Sequence, residues 1–562
     1  MRSIVHQVLD HAHRHGDRLC VRTVSRRCEE RALSFADVAA AARRAASAWK
    51  ARGVGRGDLV VLVGTHHPDL YACWLGAVWL GAVPTILAEP SVRIDPERYR
   101  RRLAALLERN DARHLALDPQ FSGEAPWPAG VGRSSYEEIA AGSPGTVVGE
   151  PPEVDPGDLL LLQHSSGTTG LQKGVMLSHG AVAAHAEDYA AALGLTDDDV
   201  VVSWLPLYHD MGFIACFLLP LARGVPVVWL SPFEWVANPA LLLEAASAER
   251  ATLAWLPNFA YPFLAQRVRE LADDVDLSSL RAVINCSEPV TGEAFDPFAK
   301  RFTRHGLRPE ALHTCYAMAE NVFAVTTSSP DAPPHRLAVD RETWFHQHQA
   351  VETPEGSTDA VHLLSSGLPL PRCRVRIARP DGTEAERGEV GRVLIRSPFL
   401  FDGYFRRPDL DEGLFDGDGF YDTGDLGFVD RTGHLYVTGR AKDLIIVGGR
   451  NVYPQDVEAV VAEVEGVVPG RVVCFGVAVE ALGTEGLVVL AESETPEEEW
   501  RRLARRIRGA VPAQLDLDLV DVRIAPRGSL SKSTSGKLAR AGNRDAYLAG
   551  RFGAPTAGIA LE

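Results

Sequence analysis

The sequence predicts an α/β protein with mostly parallel sheets, followed by a small α+β unit at its C-terminal end. Three observations carry this. From residue 18 onward, short β-branched runs alternate with Ala- and Leu-rich stretches at helical spacing, the pattern of strand–helix–strand units. The chain has 562 residues, too many for one ordinary core, so two or more domains are expected. Past residue 470 the pattern changes to two strands, a helix and a third strand.

Taken in order, Ser34 is placed to cap a helix over residues 36–51, residues 58–63 read as a buried strand and residues 68–81 as a helix. Strands are predicted over 114–117, 158–162, 200–204 and 225–230, each followed by a helical pattern. The Pro- and Gly-rich stretch 121–152 reads as a surface excursion. His66-His67, between a strand and a helix, reads as an exposed cap and not a metal site. Strands follow at 472–477, 487–491 and 520–524, with a helix over 497–508. On that helix Arg501, Arg505 and Arg508 share one face and Leu503 and Ile507 another. The Arg face reads as solvated, with Glu497 pairing Arg501, or as a docking patch for an acidic carrier protein.

Composition narrows the function. A formal charge of −16 with no basic stripe to offset it argues against nucleic acid as a general partner. The longest apolar runs, such as 71–87, are short and broken by Gly and Pro, so no membrane span is expected. Met1-Arg-Ser-Ile-Val-His lacks a signal-peptide core. Eight cysteines are scattered singly, without Cys-x-x-Cys pairs or zinc spacing, which suits a reducing cytoplasm. Only six lysines are present, Lys50, Lys173, Lys300, Lys442, Lys532 and Lys537. A lysine kept in so Arg-rich a chain suggests a need for a compact, flexible ammonium.

The chemistry concentrates in Gln163-His-Ser165-Ser166-Gly167-Thr168-Thr169-Gly170-Leu-Gln172-Lys173-Gly174. Two hydroxyl pairs and three glycines let a backbone wrap phosphate oxygens with N–H and O–H donors, while Lys173 adds charge. Neither Walker A spacing nor Gly-x-Gly-x-x-Gly is present. The motif resembles the phosphate loop of the adenylate-forming superfamily, with Gln172 where that family usually has Pro.

Further motifs resemble the same family in the same order. Leu205-Pro-Leu-Tyr208-His209-Asp210-Met-Gly212 is worded most like fatty acyl-AMP ligases, which implies His209 beside the substrate carboxylate. An isolated His-Asp is equally a structural pair. Asn285-Cys286-Ser287-Glu288-Pro289 is similar to the adenine-binding turn, with Cys286 for the usual Gly. Tyr316-Ala317-Met-Ala-Glu320 is similar to Tyr-Gly-x-Ala/Thr-Glu and implies a ring on adenine and a Mg2+ carboxylate at Glu320, a hard oxygen ligand. Ala317, in place of Gly, adds a methyl where the acyl pocket is expected to run.

Asp425, in Tyr421-Asp-Thr-Gly-Asp425, suits both ribose hydroxyls. The resemblance puts Arg440 on ribose or phosphate and Lys442 at an interdomain hinge. Ser533-Thr-Ser-Gly-Lys537 resembles the C-terminal lysine loop, with Lys537 reaching carboxylate and α-phosphate. More than fifty residues between Glu320 and Val375, including Val339–Trp344, resemble the fatty acyl-AMP ligase insertion that restrains the mobile C-terminal domain and disfavours CoA.

The resemblance covers nearly the whole chain. It implies a large N-terminal domain (residues 1–441) with a β-barrel-like subdomain and a mobile C-terminal domain (residues 442–562). The activity implied is activation of a carboxylic acid by ATP and Mg2+ to an acyl-adenylate. The acid is expected to be fatty and the acceptor a carrier-protein phosphopantetheine thiol. An acyl-CoA ligase, or an adenylating enzyme for a small, aromatic or unusual oxyacid, stays open.

Overall fold

The computed structural model describes residues 1–25, 30–64, 68–90, 95–118, 121, 126–164, 173–286, 290, 292–447, 450–479, 484–532 and 537–554. Its centre is a nine-stranded sheet. Six parallel strands make the middle, in spatial order Leu312–Ala317, Ala282–Cys286, Leu253–Pro257, Val201–Ser203, Val227–Leu230 and Leu19–Val24. Antiparallel strands close both edges. A second sheet of four parallel strands contains Leu59–Val63, every residue of which is buried. Unbroken aliphatic runs of this kind suit strands covered on both faces.

Local chemistry fixes the helix starts. The backbone N–H of Asp37 donates to Ser34 Oγ at 3.1 Å and the Ser34 N–H donates back to the Asp37 carboxylate at 2.9 Å. This capping box opens the helix Phe35–Ala51. Two expectations change. The strand Leu159–His164 is followed by an antiparallel partner, Gly174–Ser178, and not by a helix. The stretch 121–152 contributes a strand, Gly132–Ser134, and a helix, Tyr136–Ala140, whose Tyr136 and Ile139 are buried. Two apolar positions one turn apart outweigh the Pro and Gly around them. His66 and His67 lie outside the described residues.

Next comes a four-stranded antiparallel sheet of Arg374–Ala378, Gly391–Arg396, Tyr421–Val429 and Leu435–Arg440. The insertion forms a hairpin, Arg336–Asp340 with Ala360–Leu364, and the helix Arg341–Gln347 between them. Leu337, Val339 and Trp344 pack on Phe428 and Tyr436 of the antiparallel sheet. The C-terminal segment has its own cores around a three-stranded sheet. One is built on Val457, Leu487, Leu503 and Ile507, the other on Val473, Val488 and Tyr547. Among the described residues no helix is long and apolar enough to cross a membrane.

Candidate active site

The site is built where these layers meet. Residues 402–405 pair with the strand Gly174–Ser178: the Met176 N–H donates to the Gly403 carbonyl at 3.0 Å and the Phe405 N–H to the Gly174 carbonyl at 2.8 Å. This lays the Tyr404 ring under Lys173, whose Nζ stands 4.8 Å from the ring centroid. The Tyr404 hydroxyl donates to Glu320 Oε1 at 2.8 Å. Glu320 lies in the single turn Ala319–Asn321, and its carbonyl accepts from the Phe401 N–H at 2.9 Å. Burial pushes the Glu320 carboxyl above the usual range, against the opposing pull of the Tyr404 hydroxyl and Arg440. Ser165, Ser166, Gly167, Thr168, Thr169 and Gly170 lie outside the described residues, as do Ser287, Glu288 and Pro289.

A second group gathers around Asp425. Asp425 and Arg440 face each other across adjacent antiparallel strands, with Arg440 Nε 2.9 Å from Asp425 Oδ1. The Tyr316 hydroxyl donates to Asp425 Oδ2. Thr423 Oγ1 accepts from the Asp425 N–H at 3.0 Å. Burial raises the Asp425 carboxyl, and Arg440, Tyr316 and Lys537 pull it back. Lys442 is exposed in the turn Ala441–Asp443, which links the antiparallel sheet to the strand Ile445–Val447.

The third group surrounds His209. Gln163 Nε2 donates to the Tyr208 carbonyl at 3.0 Å, tying this turn to the strand before the Ser/Thr/Gly loop. The Met211 N–H donates to Asp210 Oδ1 at 2.8 Å, opening a π-helical run, Met211–Leu218; such runs recur at functional sites. A Cβ on Gly212 would stand 2.3 Å from the Pro206 carbonyl oxygen, so only glycine fits. His209 Nδ1 stands 2.6 Å from Asp210 Oδ1 without the alignment of a hydrogen bond. Burial would raise the Asp210 carboxyl, but His209 and then Lys537 hold it below its usual range.

His209 and Lys537 line one cavity of about 740 Å³. Its N-terminal wall is aromatic. Trp204 and Trp235 stack with centroids 3.7 Å apart and 5° between planes, and Phe263 lies 5.2 Å from Trp235. Lys532 also lines the cavity, its Nζ 5.3 Å from the Phe259 ring centroid. Cys286 and Ala317 are not among the residues that line this cavity.

The structure thus brings Lys173, Glu320, Tyr316, Asp425 and Arg440 to one side of the antiparallel sheet's junction, and His209 and Lys537 to the cavity. Sequence reasoning missed Tyr404 and Lys532. Nothing local marks Tyr404 apart from a core aromatic, because the two partners that give it a place in the site, Glu320 and Lys173, lie more than eighty residues before it. Lysine scarcity was a usable signal for Lys532.

A parallel α/β sheet, two antiparallel strands on either side of the Ser/Thr/Gly stretch and a junction that gathers Glu320, Tyr316, Asp425 and Arg440 define an adenylate-forming enzyme. The chain belongs to the AMP-binding enzyme family, which matches residues 8–405. It is similar to the medium-chain-fatty-acid–[acyl-carrier-protein] ligase JamA of Moorena producens, 30% identical over 93% of this chain and 91% of that protein. It is also similar to the long-chain-fatty-acid–AMP ligase FadD26 of Mycobacterium marinum, 29% identical over 88% of each. A structure from work on fatty acyl-adenylate ligases of E. coli and L. pneumophila superposes with a TM-score of 0.88 at 26% identity, covering 97% of this chain and 98% of that one.

Proposed function

We propose that the chain activates a fatty acid with ATP and passes the acyl group to a carrier-protein phosphopantetheine thiol. The observation that carries this is the shared cavity: His209 and Lys537 border one space whose wall from residues 204–266 is mostly apolar and aromatic and whose wall from residues 466–537 carries charge, a layout suited to a long acid with its carboxylate at the polar end. Similarity to the Moorena acyl-carrier-protein ligase supports the acceptor.

In this reading Asp425 binds the ribose hydroxyls, Arg440 the ribose or α-phosphate, and Tyr316 stacks on adenine. Both Asp425 oxygens already accept from Tyr316 and Arg440 and keep lone pairs for further donors. The Ser165–Gly170 loop and Lys173 hold the triphosphate, and Ser287, Glu288 and Pro289 border the base. Glu320 fits a Mg2+ ion as a half-buried hard-oxygen ligand already oriented by Tyr404. Bound there, Mg2+ would neutralise triphosphate charge.

A carboxylate oxygen of the acid attacks the α-phosphorus. The new C–O–P bond forms as the α–β bridging P–O bond breaks, and pyrophosphate leaves with the electron pair. Lys537 offsets the negative charge gathered between carboxylate and triphosphate, and His209 orients the carboxylate. The acceptor thiol then attacks the acyl carbonyl carbon, loses its proton, and AMP departs with the anhydride electrons. Between the two steps residues 442–562 turn about Lys442 relative to residues 1–441. A cytoplasmic setting is supported by seven free, buried cysteines among the described residues.

Mass spectrometry of products from ATP, Mg2+ and a panel of fatty and aromatic acids tests this, with holo carrier protein or CoA supplied separately. Fatty acyl-adenylate and acyl-carrier protein without acyl-CoA are expected. Activation of aromatic acids alone would overturn the acid class, and ready acyl-CoA formation the acceptor.

A further inference from the structure

The helix Trp500–Leu515 carries five arginines in eight residues: Arg501, Arg502, Arg505, Arg506 and Arg508. All five are exposed, while Leu503, Ile507, Val511 and Leu515, spaced four apart, are buried against the C-terminal core. The chain as a whole carries a net charge of −16. A concentrated positive surface here therefore runs against the prevailing charge.

Two of the five have structural tasks. Arg506 reaches Glu465 at 3.6 Å, and Arg508 donates to the Leu519 and Val520 carbonyls. Arg501, Arg502 and Arg505 form no ion pair among the described residues, although Glu497–Glu499 precede them. The expected Glu497–Arg501 pair is not formed. Three exposed guanidinium groups within five residues are thus left without an ion pair among the described residues, open to an anionic partner.

Their position supplies the second observation. The Trp500 indole N–H donates to the Thr495 carbonyl at 3.1 Å, and a Cβ on Gly466 would stand 3.4 Å from Arg506 Nη2 and 3.7 Å from Leu503 Cδ1. Thr495 and Gly466 both line the cavity that holds His209 and Lys537. Trp500, Leu503 and Arg506 of the arginine helix therefore pack directly behind Thr495 and Gly466 of that cavity's wall. Arg471 and Arg527 add further cations along the same wall, paired with Glu492 and Glu494 respectively.

We infer that Arg501, Arg502 and Arg505 dock the acceptor carrier protein through an acidic helix on that partner. The inference rests on the carrier-thiol acceptor proposed above. A carrier seated on this helix would stand beside the margin of the space where the acyl carbonyl is exposed to attack. Charge of this kind speeds encounter and selects partners. An anionic membrane is disfavoured, because interfacial helices set large apolar side chains beside their basic residues. None of the exposed large hydrophobic residues among those described lies on this helix.

The test is fluorescence anisotropy with a labelled holo-acyl carrier protein whose recognition helix is acidic, at low and at physiological salt. A carrier with that helix's carboxylates changed to amides, and phosphatidylglycerol vesicles, serve as controls. Pyrophosphate exchange and acyl transfer to free pantetheine are followed in parallel. The triple variant Arg501→Glu, Arg502→Glu, Arg505→Glu is expected to bind the carrier about tenfold more weakly. Adenylate formation and transfer to pantetheine should stay within about twofold, and the triple Arg→Lys variant should keep most of the binding. Equal binding by wild type and the Glu variant, no binding by wild type, or stronger charge-dependent binding to vesicles would each overturn it. Carrier binding without any adenylate formation would instead sink the activity reading and leave the docking surface standing.

Discussion

Glu320 takes a hydrogen bond of 2.8 Å from the Tyr404 hydroxyl, and the ring that carries this hydroxyl lies under Lys173 Nζ at 4.8 Å. One residue thus couples the lysine after the Ser/Thr/Gly loop to the carboxylate proposed for Mg2+. Tyr404→Phe keeps the ring and removes the donor. Loss of an outer partner typically weakens metal affinity by about 10–100-fold. The Mg2+ concentration for half-maximal pyrophosphate exchange should rise by about tenfold or more, with the acid KM little changed. An unaltered Mg2+ titration would separate Glu320 from the metal.

Elements with a local signature were legible in the sequence. The Ser34 cap, the aliphatic strand Leu59–Val63 and the strand His114–Leu117 depend on neighbours within a few residues and were read nearly to the residue. The motif residues rest on a different ground, since a resemblance places them together without any geometry. What stayed hidden was long-range. The strand Gly174–Ser178 pairs with Leu159–His164 on one edge and with residues 402–405 on the other, and the second pairing leaves no mark in a short window. The cavity wall was legible only as a crowd of aromatics: the Trp204–Trp235 stack looks no different in sequence from Trp229 or Trp255, which are buried in the core.

That stack sets a prediction about chain length. Trp235 is fully buried and stacked on Trp204, and it lines the cavity together with Phe259 and Phe263. Trp235→Leu should open space beyond the present wall and move the preferred acid to longer chains. The indole removed is large, and stability should fall by about 3 kcal/mol. The acid-chain-length profile of pyrophosphate exchange reads this directly. A profile that falls uniformly at every length would mean that Trp235 supports the fold and does not bound the acyl site.

The insertion touches the C-terminal segment through Phe345, which packs against the Val457–Leu503 core. Trp344, on the same helix, is held by Phe428 and Tyr436. Phe345→Ala removes the apolar tie without unseating the hairpin. Burying part of a Phe against aliphatic side chains contributes about 1–2 kcal/mol, enough to change the population of a released C-terminal unit by about tenfold. Acyl-CoA formation should then increase while acyl-adenylate formation holds steady. Acyl-CoA yields unchanged from wild type would deny the insertion a restraining role.

The same seam contains a carboxyl that should make stability depend on pH. Asp456, in the first turn of the helix Pro454–Ala462, lines a small space with Trp344, Phe345 and His348. The His348 ring meets Tyr453 edge-on at 5.3 Å there. Burial, and then the nearby Glu458, push the Asp456 carboxyl up to about 7. In the unfolded chain an Asp titrates near ~3.9. Between those values the folded protein holds a proton that the unfolded chain has lost, so stability declines as pH rises through this window. Asp456→Asn removes the ionisation while keeping the shape. Its melting temperature should exceed wild type by a few degrees at about pH 8 and match it at about pH 4, a difference of about 1–2 kcal/mol after allowance for solvent at the half-buried site. A variant displaced equally at both pH values would show that the amide changes packing and that Asp456 is ionised in the folded protein.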